Sequence, residues 1–180
     1  MSAAILTGVT ATRILLAPGA SGNPAQLRPH RAGLERRGYA VEIVALPRGK
    51  AERAIDPYRA AIGDRHASAV IGGQSFGGRV ATLVAAEEPP AAVVCFSYPL
   101  HAPGRQPSWD ERTAHWPRIA CPALLLSGES DPFAEIGLLR GAVGRLPNAT
   151  LITYPGLGHS LTPVLDDALD AVQRFIGSNT

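Results

Sequence analysis

The sequence predicts an α/β fold, specifically a three-layer α/β/α sandwich with a mainly parallel sheet of about six strands. Short apolar runs rich in Val, Ile and Leu alternate along the chain with segments of helical spacing. Each run is bounded by Gly or Pro, as expected for strands buried on both faces of a sheet. Such alternation favours right-handed crossovers and a parallel sheet covered by helices. No repeat, low-complexity tract or linker divides the chain, so one domain over residues 1–180 is expected.

Each element can be placed in order along the chain. The predicted strands are residues 13–17, 40–46, 68–72, 91–97, 123–127 and 150–154. The predicted helices are residues 24–37, 57–65, 76–87, 133–145 and 163–176. The alternation is interrupted by residues 98–119, which are rich in Pro, His, Arg and Trp where a further helix would be expected. Connections of this length are usually functional or disordered.

The composition excludes several classes of function. The formal net charge is +2, and charges of both signs are interspersed without a basic run, so no nucleic-acid or lipid-headgroup surface is predicted. No apolar run approaches the ~18 residues of a membrane span, and the N-terminus lacks a charged region ahead of its apolar residues. Cys95 and Cys121 lie in or beside apolar runs without metal-type spacing. This usage predicts buried, inert thiols and a cytoplasmic location.

The most informative motif is G-Q-S-F-G at residues 73–77, which follows a β-branched run and precedes a helical segment. A G-x-S-x-G pattern in this position is typical of a nucleophile elbow, a strained strand-to-helix turn that exposes the serine hydroxyl. A plain turn is the alternative, since the chain has 19 glycines. A phosphate-binding loop is excluded because Gly78 and Arg79 stand where Lys and then Ser or Thr are required. The motif predicts Ser75 as a nucleophile.

A serine nucleophile needs a base, and the base needs an orienting carboxylate. Asp131 and His159 follow Ser75 in the order acid then base, and each comes directly after a predicted strand. Both positions match the chain order of triads on parallel sheets and the strand ends where ligands bind. Glu129 is a competing acid, and Asp131 could instead cap the following helix. The remaining histidines precede the acid and are weaker candidates for the base.

Two backbone N–H groups are expected to form an oxyanion hole, a pair of donors that holds a negatively charged oxygen during the reaction. One donor is the N–H of Phe76, the residue after the nucleophile. The other is assigned to Ala20, with Ser21 as the next choice, in the glycine-rich loop after the first strand. A simple turn leading into a helix is the alternative interpretation of that loop.

A partly aromatic substrate pocket is predicted from residues that follow the fourth strand, with Phe76 and Phe133 adding apolar surface. The predicted pocket residues are Tyr98, Leu100, His101 and Trp109. His101 could polarise the substrate or bind a carboxylate, although a purely structural role fits it better. Trp109 and Trp116 could instead anchor the irregular segment to the core. Arg79 is expected to form a structural ion pair.

On these motifs the chain resembles the α/β-hydrolase superfamily, and more narrowly its small KANL3/Tex30-type and dienelactone-hydrolase-like members. The motifs are G-G-Q-S-F-G-G-R at 72–79, S-Y-P-L-H-A-P at 97–103, R-T-A-H at 112–115, G-E-S-D-P-F at 128–133 and G-H-S at 158–160. The resemblance implies a minimal lidless α/β-hydrolase fold that lacks the first two strands of larger relatives. It also implies Ser75, Asp131 and His159 as nucleophile, acid and base. Relatives often carry His-Gly where this chain has Pro18 and Gly19.

The combined prediction is a serine hydrolase that cleaves a small carboxylic ester or thioester through an acyl-enzyme intermediate. The expected partner is a small-molecule acyl substrate, and no metal or organic cofactor is expected. Two alternatives stay open at the level of the sequence. The same three residues could transfer the acyl group to an alcohol instead of water, or the fold could be a catalytically silent protein-binding module.

Overall fold

The computed structural model describes residues 11–179. The inference that the N-terminus lacks a charged region ahead of its apolar residues concerns residues outside this range. The strands are β1 (Arg13–Ala17), β2 (Ala40–Ile43), β3 (Ala69–Gln74), β4 (Ala92–Phe96), β5 (Ala123–Gly128) and β6 (Ala149–Tyr154). They form one six-stranded sheet in the order β2-β1-β3-β4-β5-β6. Every neighbouring pair is parallel.

The helices are α1 (Arg28–Arg36), α2 (Ile55–Ile62), α3 (Phe76–Glu87), α4 (Trp109–Thr113), α5 (Ile136–Val143) and α6 (Leu165–Asn179). The helix α3 has the predicted bounds, and α1 and α6 are preceded by short 3-10 turns that begin near the predicted helix starts. The second predicted strand, 40–46, ends at Ile43. The irregular segment contains the short helix α4, which its sequence did not predict.

Two buried clusters fill the space between the sheet and its helices, one on each face. Helices α2, α3 and α5 cover one face, and α1 and α6 cover the other. Adjacent residues of β3 illustrate the division, because Ile71 belongs to the first cluster and Val70 to the second. Strands buried on both faces need apolar residues throughout, which explains the near-continuous apolar runs of the sequence. The three-layer α/β/α architecture is therefore confirmed.

Both cysteines are free and buried, as predicted. Burial raises the pKa of Cys95 to about 12 and that of Cys121 to about 11, so these thiols stay protonated at neutral pH. None of the helices in residues 11–179 is long and apolar enough to cross a membrane.

The junction of β3 and α3 lies against β1 with almost no free space. A Cβ atom at Gly73 would lie 2.2 Å from the carbonyl oxygen of Ala17, and one at Gly77 would lie 2.1 Å from the same atom. Tyr58 of α2 packs beneath this junction, where its hydroxyl accepts a hydrogen bond from the Gly72 N–H at 2.9 Å. Only glycine at 73 and 77 permits the junction to lie so close to the Ala17 carbonyl. This close packing fixes the position at which the chain leaves β3.

Candidate active site

Ser75 lies between the last residue of β3 and the first residue of α3. Its backbone has φ 50° and ψ −114°, a conformation that residues with a side chain rarely adopt. The Ser75 N–H donates a hydrogen bond of 2.8 Å to the carbonyl of Phe96 on the neighbouring strand. The strained turn is thus held by the sheet itself, and it has the geometry predicted for an elbow.

The structure brings the hydroxyl of Ser75, the imidazole of His159 and the carboxylate of Asp131 into one hydrogen-bonded chain. His159 Nε2 lies 2.8 Å from Ser75 Oγ, and His159 Nδ1 lies 2.8 Å from Asp131 Oδ2. Asp131 follows β5 and His159 follows β6. Because β3, β5 and β6 are parallel, these loops meet at the same edge of the sheet.

The surroundings of Asp131 give the imidazole a defined orientation. The Asp131 side chain is fully buried, whereas 26% of the His159 side chain is exposed. Asp131 Oδ1 accepts a hydrogen bond of 2.8 Å from the Phe133 N–H, which leaves Oδ2 for the imidazole. An ionised carboxylate only accepts hydrogen bonds, so His159 Nδ1 carries a proton and Nε2 is free to accept the Ser75 proton.

The competing acid is occupied elsewhere. Glu129 Oε1 accepts hydrogen bonds from Arg140 at 2.8 Å and from the Thr153 hydroxyl at 2.7 Å. Asp131 also hydrogen-bonds the start of the next segment through Phe133, so its possible capping role and its contact with the imidazole coexist. Of the two carboxylates, only Asp131 contacts His159.

The two predicted oxyanion-hole residues, Phe76 and Ala20, lie near Ser75. Phe76 is the first residue of α3, and the N–H of a first helical residue has no acceptor within its own helix. Ala20 and Phe76 line the same cavity as Ser75. In the loop that carries Ala20, a Cβ atom at Gly19 would lie 3.8 Å from the Ser75 Cβ atom. This loop is therefore close enough to Ser75 to place a donor beside it.

A cavity of about 250 Å³ opens beside Ser75. Its lining residues are Ala20, Gly49, Ser75, Phe76, Arg79, Pro99, Ala102, Arg112 and Phe133. The centroid of the Phe133 ring lies 4.5 Å from that of the His159 ring, so Phe133 also packs against this imidazole. Alanine, proline and phenylalanine give the cavity its apolar surface, and two guanidinium groups lie in its wall.

The lining differs from the predicted one. Tyr98, Leu100 and His101 are almost completely buried, and Trp109 packs against the core instead of this cavity. Their sequence neighbours Pro99 and Ala102 line it in their place.

Hydrogen bonds and ring contacts explain why these side chains point away from the cavity. The Tyr98 hydroxyl donates to the carbonyl of Arg112 at 2.9 Å, and its ring packs edge-on against Trp116. His101 Nδ1 lies 2.9 Å from the Ala102 carbonyl, while Nε2 accepts the Glu135 N–H at 2.9 Å. His101 therefore has the structural contacts that the sequence analysis favoured.

Sequence analysis missed Arg112 and Pro99 and treated Arg79 as purely structural. Arg79 does form the expected ion pair, with Glu52 at 3.1 Å, but it also lines the cavity. Its position was readable from the sequence, because it lies one helical turn after Ser75. Arg112 begins the R-T-A-H motif at 112–115, but no pocket role was assigned to it, because side-chain direction in the irregular segment depends on tertiary packing.

Comparison with known proteins agrees with this architecture. Residues 46–175 match the family described as "Alpha/beta hydrolase domain". The match covers most of the chain, so the protein belongs to the α/β-hydrolase family. The narrower KANL3/Tex30-type or dienelactone-hydrolase-like assignment stays a prediction. No match to a curated protein was found.

Solved structures with the same fold include proteins described as a lipase and as lipolytic enzymes. The monoacylglycerol lipase of Paleococcus ferrophilus is 16% identical, has a TM-score of 0.81, and matches over 95% of this chain and 96% of its own. Est1E from Butyrivibrio proteoclasticus, solved with ferulic acid, is 15% identical, has a TM-score of 0.76, and matches over 94% and 90%. A structure reported with the metagenome-derived lipolytic enzymes LipS and LipT is 17% identical, has a TM-score of 0.74, and matches over 93% and 94%. At such identities the likeness concerns the fold alone.

Proposed function

We propose that this protein is a serine hydrolase that cleaves small carboxylic esters or thioesters through an acyl-enzyme intermediate. The observation that carries the proposal is the pair of 2.8 Å contacts that link Ser75 Oγ, His159 and Asp131 beside a cavity. A nucleophile, a base and an orienting carboxylate in hydrogen-bonding sequence are the parts that acyl transfer from an ester requires.

The reaction follows from the donors and acceptors of these groups. His159 Nε2 accepts the Ser75 proton while Oγ attacks the acyl carbonyl, and Asp131 holds the imidazole and stabilises its protonated form. The N–H groups of Phe76 and Ala20 donate to the negatively charged carbonyl oxygen, each worth on the order of 3 kcal/mol of barrier. His159 then gives its proton to the leaving group. Water, activated in turn by His159, releases the acid and restores Ser75.

The size and lining of the cavity favour a short acyl group. Its volume of about 250 Å³ lies below the roughly 300–1,000 Å³ of pockets for drug-sized ligands. Its apolar lining suits a few methylene groups. Esters or thioesters are favoured over amides because so small a cavity offers little binding surface with which to distort a stable amide.

The proposal is tested by labelling with a fluorophosphonate probe and by hydrolysis of p-nitrophenyl esters of graded chain length. Ser75→Ala is expected to abolish labelling and to lower kcat by a factor on the order of 10⁶. Ser97→Ala is the matched control, because Ser97 also has a positive φ, of 53°, at the end of the adjacent strand. This control should label like the wild type.

Two results would contradict the proposal. Folded wild-type protein that neither labels nor hydrolyses any ester would favour a binding module. A preference for long acyl chains would contradict the short-acyl assignment while leaving the serine mechanism intact.

A further inference from the structure

Two arginines lie in the wall of the cavity beside Ser75, although the proposed acyl-transfer chemistry makes no use of them. Arg79 lies on α3, where its N–H donates to the Ser75 carbonyl at 3.1 Å, so the two residues are one helical turn apart. Arg112 belongs to α4 in the irregular segment. Both residues line the cavity, Arg79 from the helix that follows β3 and Arg112 from the connection between β4 and β5.

Arg79 has a buried donor without a partner. Its Nη2 group pairs with Glu52 at 3.1 Å, and the Glu52 side chain is 58% exposed. Its Nε atom is buried and has no hydrogen-bond acceptor among residues 11–179. A buried N–H without an acceptor is unfavourable, particularly on a charged group, so an acceptor oxygen at this atom would be stabilised.

Arg112 is held in place by a neutral group. Its Nη1 group donates to the Pro99 carbonyl at 2.9 Å, and no carboxylate of the described residues forms an ion pair with it. Burial, and then the charge of Arg79, lowers the pKa of Arg112, and both guanidinium groups line the same cavity. Partly desolvated like charges repel, and a bound anion would offset both costs.

The positive surface continues beyond the cavity. An adjoining cleft of about 360 Å³ shares Arg79, Ala102 and Arg112 with it and adds Arg105, Ser108 and Glu111. Glu111 is the acidic residue of this lining, against three arginines. The region next to Ser75 therefore carries a net positive charge.

We propose that Arg79 and Arg112 bind an oxyanion group, such as a carboxylate, on the substrate whose acyl carbonyl is attacked by Ser75. This inference rests on the proposed hydrolase function and specifies its substrate class. Guanidinium groups bind carboxylates and phosphates through paired N–H donors. The apolar side chains of the cavity offer no such donors, and the ion pair with Glu52 involves Nη2 of Arg79. The anionic group lies a few bonds from the reacting carbonyl, because Arg79 is one turn, roughly 6 Å of helix rise, from Ser75.

The test compares matched ester pairs that differ only in charge. For an anion on the acyl part, the pair is mono-p-nitrophenyl adipate and its methyl ester. For an anion on the leaving group, the pair is 4-carboxyphenyl acetate and its methyl ester. The measured quantity is the ratio of kcat/KM for the anionic ester to that for the neutral ester, after subtraction of the uncatalysed rate. At least one pair should give a wild-type ratio above about ten, and the pair that does so identifies the part of the substrate that carries the charge.

Substitution of the arginines links the ratio to this site. Arg112→Gln and Arg79→Gln should each lower it about tenfold, and Arg112→Lys should retain part of it because the charge remains. Arg31→Gln is the control, since Arg31 is an exposed arginine of α1 that pairs with Glu35, and its removal changes the net charge equally. The control should leave the ratio unchanged.

A measurement on the wild type keeps the test decisive if a variant fails to fold. The ratio should fall as salt is raised, because ionic screening weakens attraction between the arginines and an anion. Neutral esters hydrolysed as fast as anionic ones, with no effect of salt, would overturn this inference and leave the hydrolase proposal standing. Folded protein that hydrolyses neither member of either pair would overturn both.

Discussion

The chain leaves β3 and β4 in similar backbone conformations, but the serines at these two exits have different surroundings. Ser75 follows β3 and Ser97 follows β4, and both have a positive φ, of 50° and 53°. The Ser75 N–H donates to the Phe96 carbonyl at 2.8 Å, and the Ser97 N–H donates to the Leu126 carbonyl at 2.7 Å. Of the two serines, Ser75 contacts an imidazole.

The difference shows that a strained turn does not make a nucleophile by itself. The β3 exit runs straight into α3 beneath the His159 loop, so its serine faces the edge where the functional loops converge. The β4 exit leads into residues 98–119, and three of these, Pro99, Ala102 and Arg112, form part of the wall of the cavity beside Ser75. One exit places a serine hydroxyl against an imidazole, and the other leads to residues that line the cavity beside it.

Among variants that keep the Ser75 hydroxyl, the largest expected effect comes from the carboxylate that contacts His159. Asp131→Asn keeps the size of the side chain but presents a donor to the imidazole, which stabilises the wrong tautomer of His159. We expect kcat on p-nitrophenyl acetate to fall by a factor on the order of 10⁴.

Glu129→Gln is the matched control for this substitution. Glu129 bonds Arg140 and Thr153, so its replacement should leave kcat close to the wild-type value. A large loss in Glu129→Gln with near-normal activity in Asp131→Asn would reverse the assignment of the acid.

The second prediction concerns the anchoring of the β4 exit segment to α3. His115 Nε2 lies 2.9 Å from Thr82 Oγ1 of α3. Burial, followed by the charges of Arg79 and Arg118, lowers the pKa of His115 to about 4, although the nearby Glu52 raises it slightly. An unfolded histidine has a pKa near 6.5, so below that value the unfolded chain binds a proton that the folded protein does not.

The stability that depends on neutral His115 is therefore complete above about pH 6.5 and is lost as the pH falls towards 4. We expect the free energy of unfolding in urea to drop by about 2 kcal/mol more in wild type than in His115→Gln between pH 7 and pH 5. His30, whose pKa burial also lowers to about 4, gives both proteins a further common decline. Identical pH profiles for the two proteins would show that His115 is already accessible to protons when folded.

The smallest expected effect concerns the stability contributed by the hydrogen bond between Tyr98 and Arg112, two residues of the segment that follows β4. Tyr98→Phe removes the hydroxyl that donates to the Arg112 carbonyl at 2.9 Å. One such hydrogen bond contributes about 1 kcal/mol, so urea unfolding should show a loss of that size.

The matched control is Tyr39→Phe, whose hydroxyl lies 3.5 Å from the Gln173 carbonyl at an exposed position. That substitution should change stability by less than about 0.5 kcal/mol. If the two variants lost equal stability, the Tyr98 hydroxyl would have no special role in the wall.

Residues near strand ends were predictable because the parallel fold itself brings them together. The alternation of apolar runs indicated the strands and their direction, and parallel strands end at a common edge. Ser75, Asp131 and His159 each follow a strand directly, so their order in the chain was enough to predict that they meet. The glycines at 73 and 77 could be interpreted in the same local way, since their role depends on the turn that they flank.

The amino-acid sequence alone thus determined the layers of the fold, the elbow and the three residues that converge on it, because each depends on local conformation and on strand direction. The tertiary structure decided the wall of the cavity. Tyr98 and His101 turn into the core, while Pro99, Ala102 and Arg112 reach the site, because hydrogen bonds to distant residues set the path of an irregular segment. Such contacts follow no sequence period, so only the folded chain reveals that Arg112 lines the cavity beside Ser75.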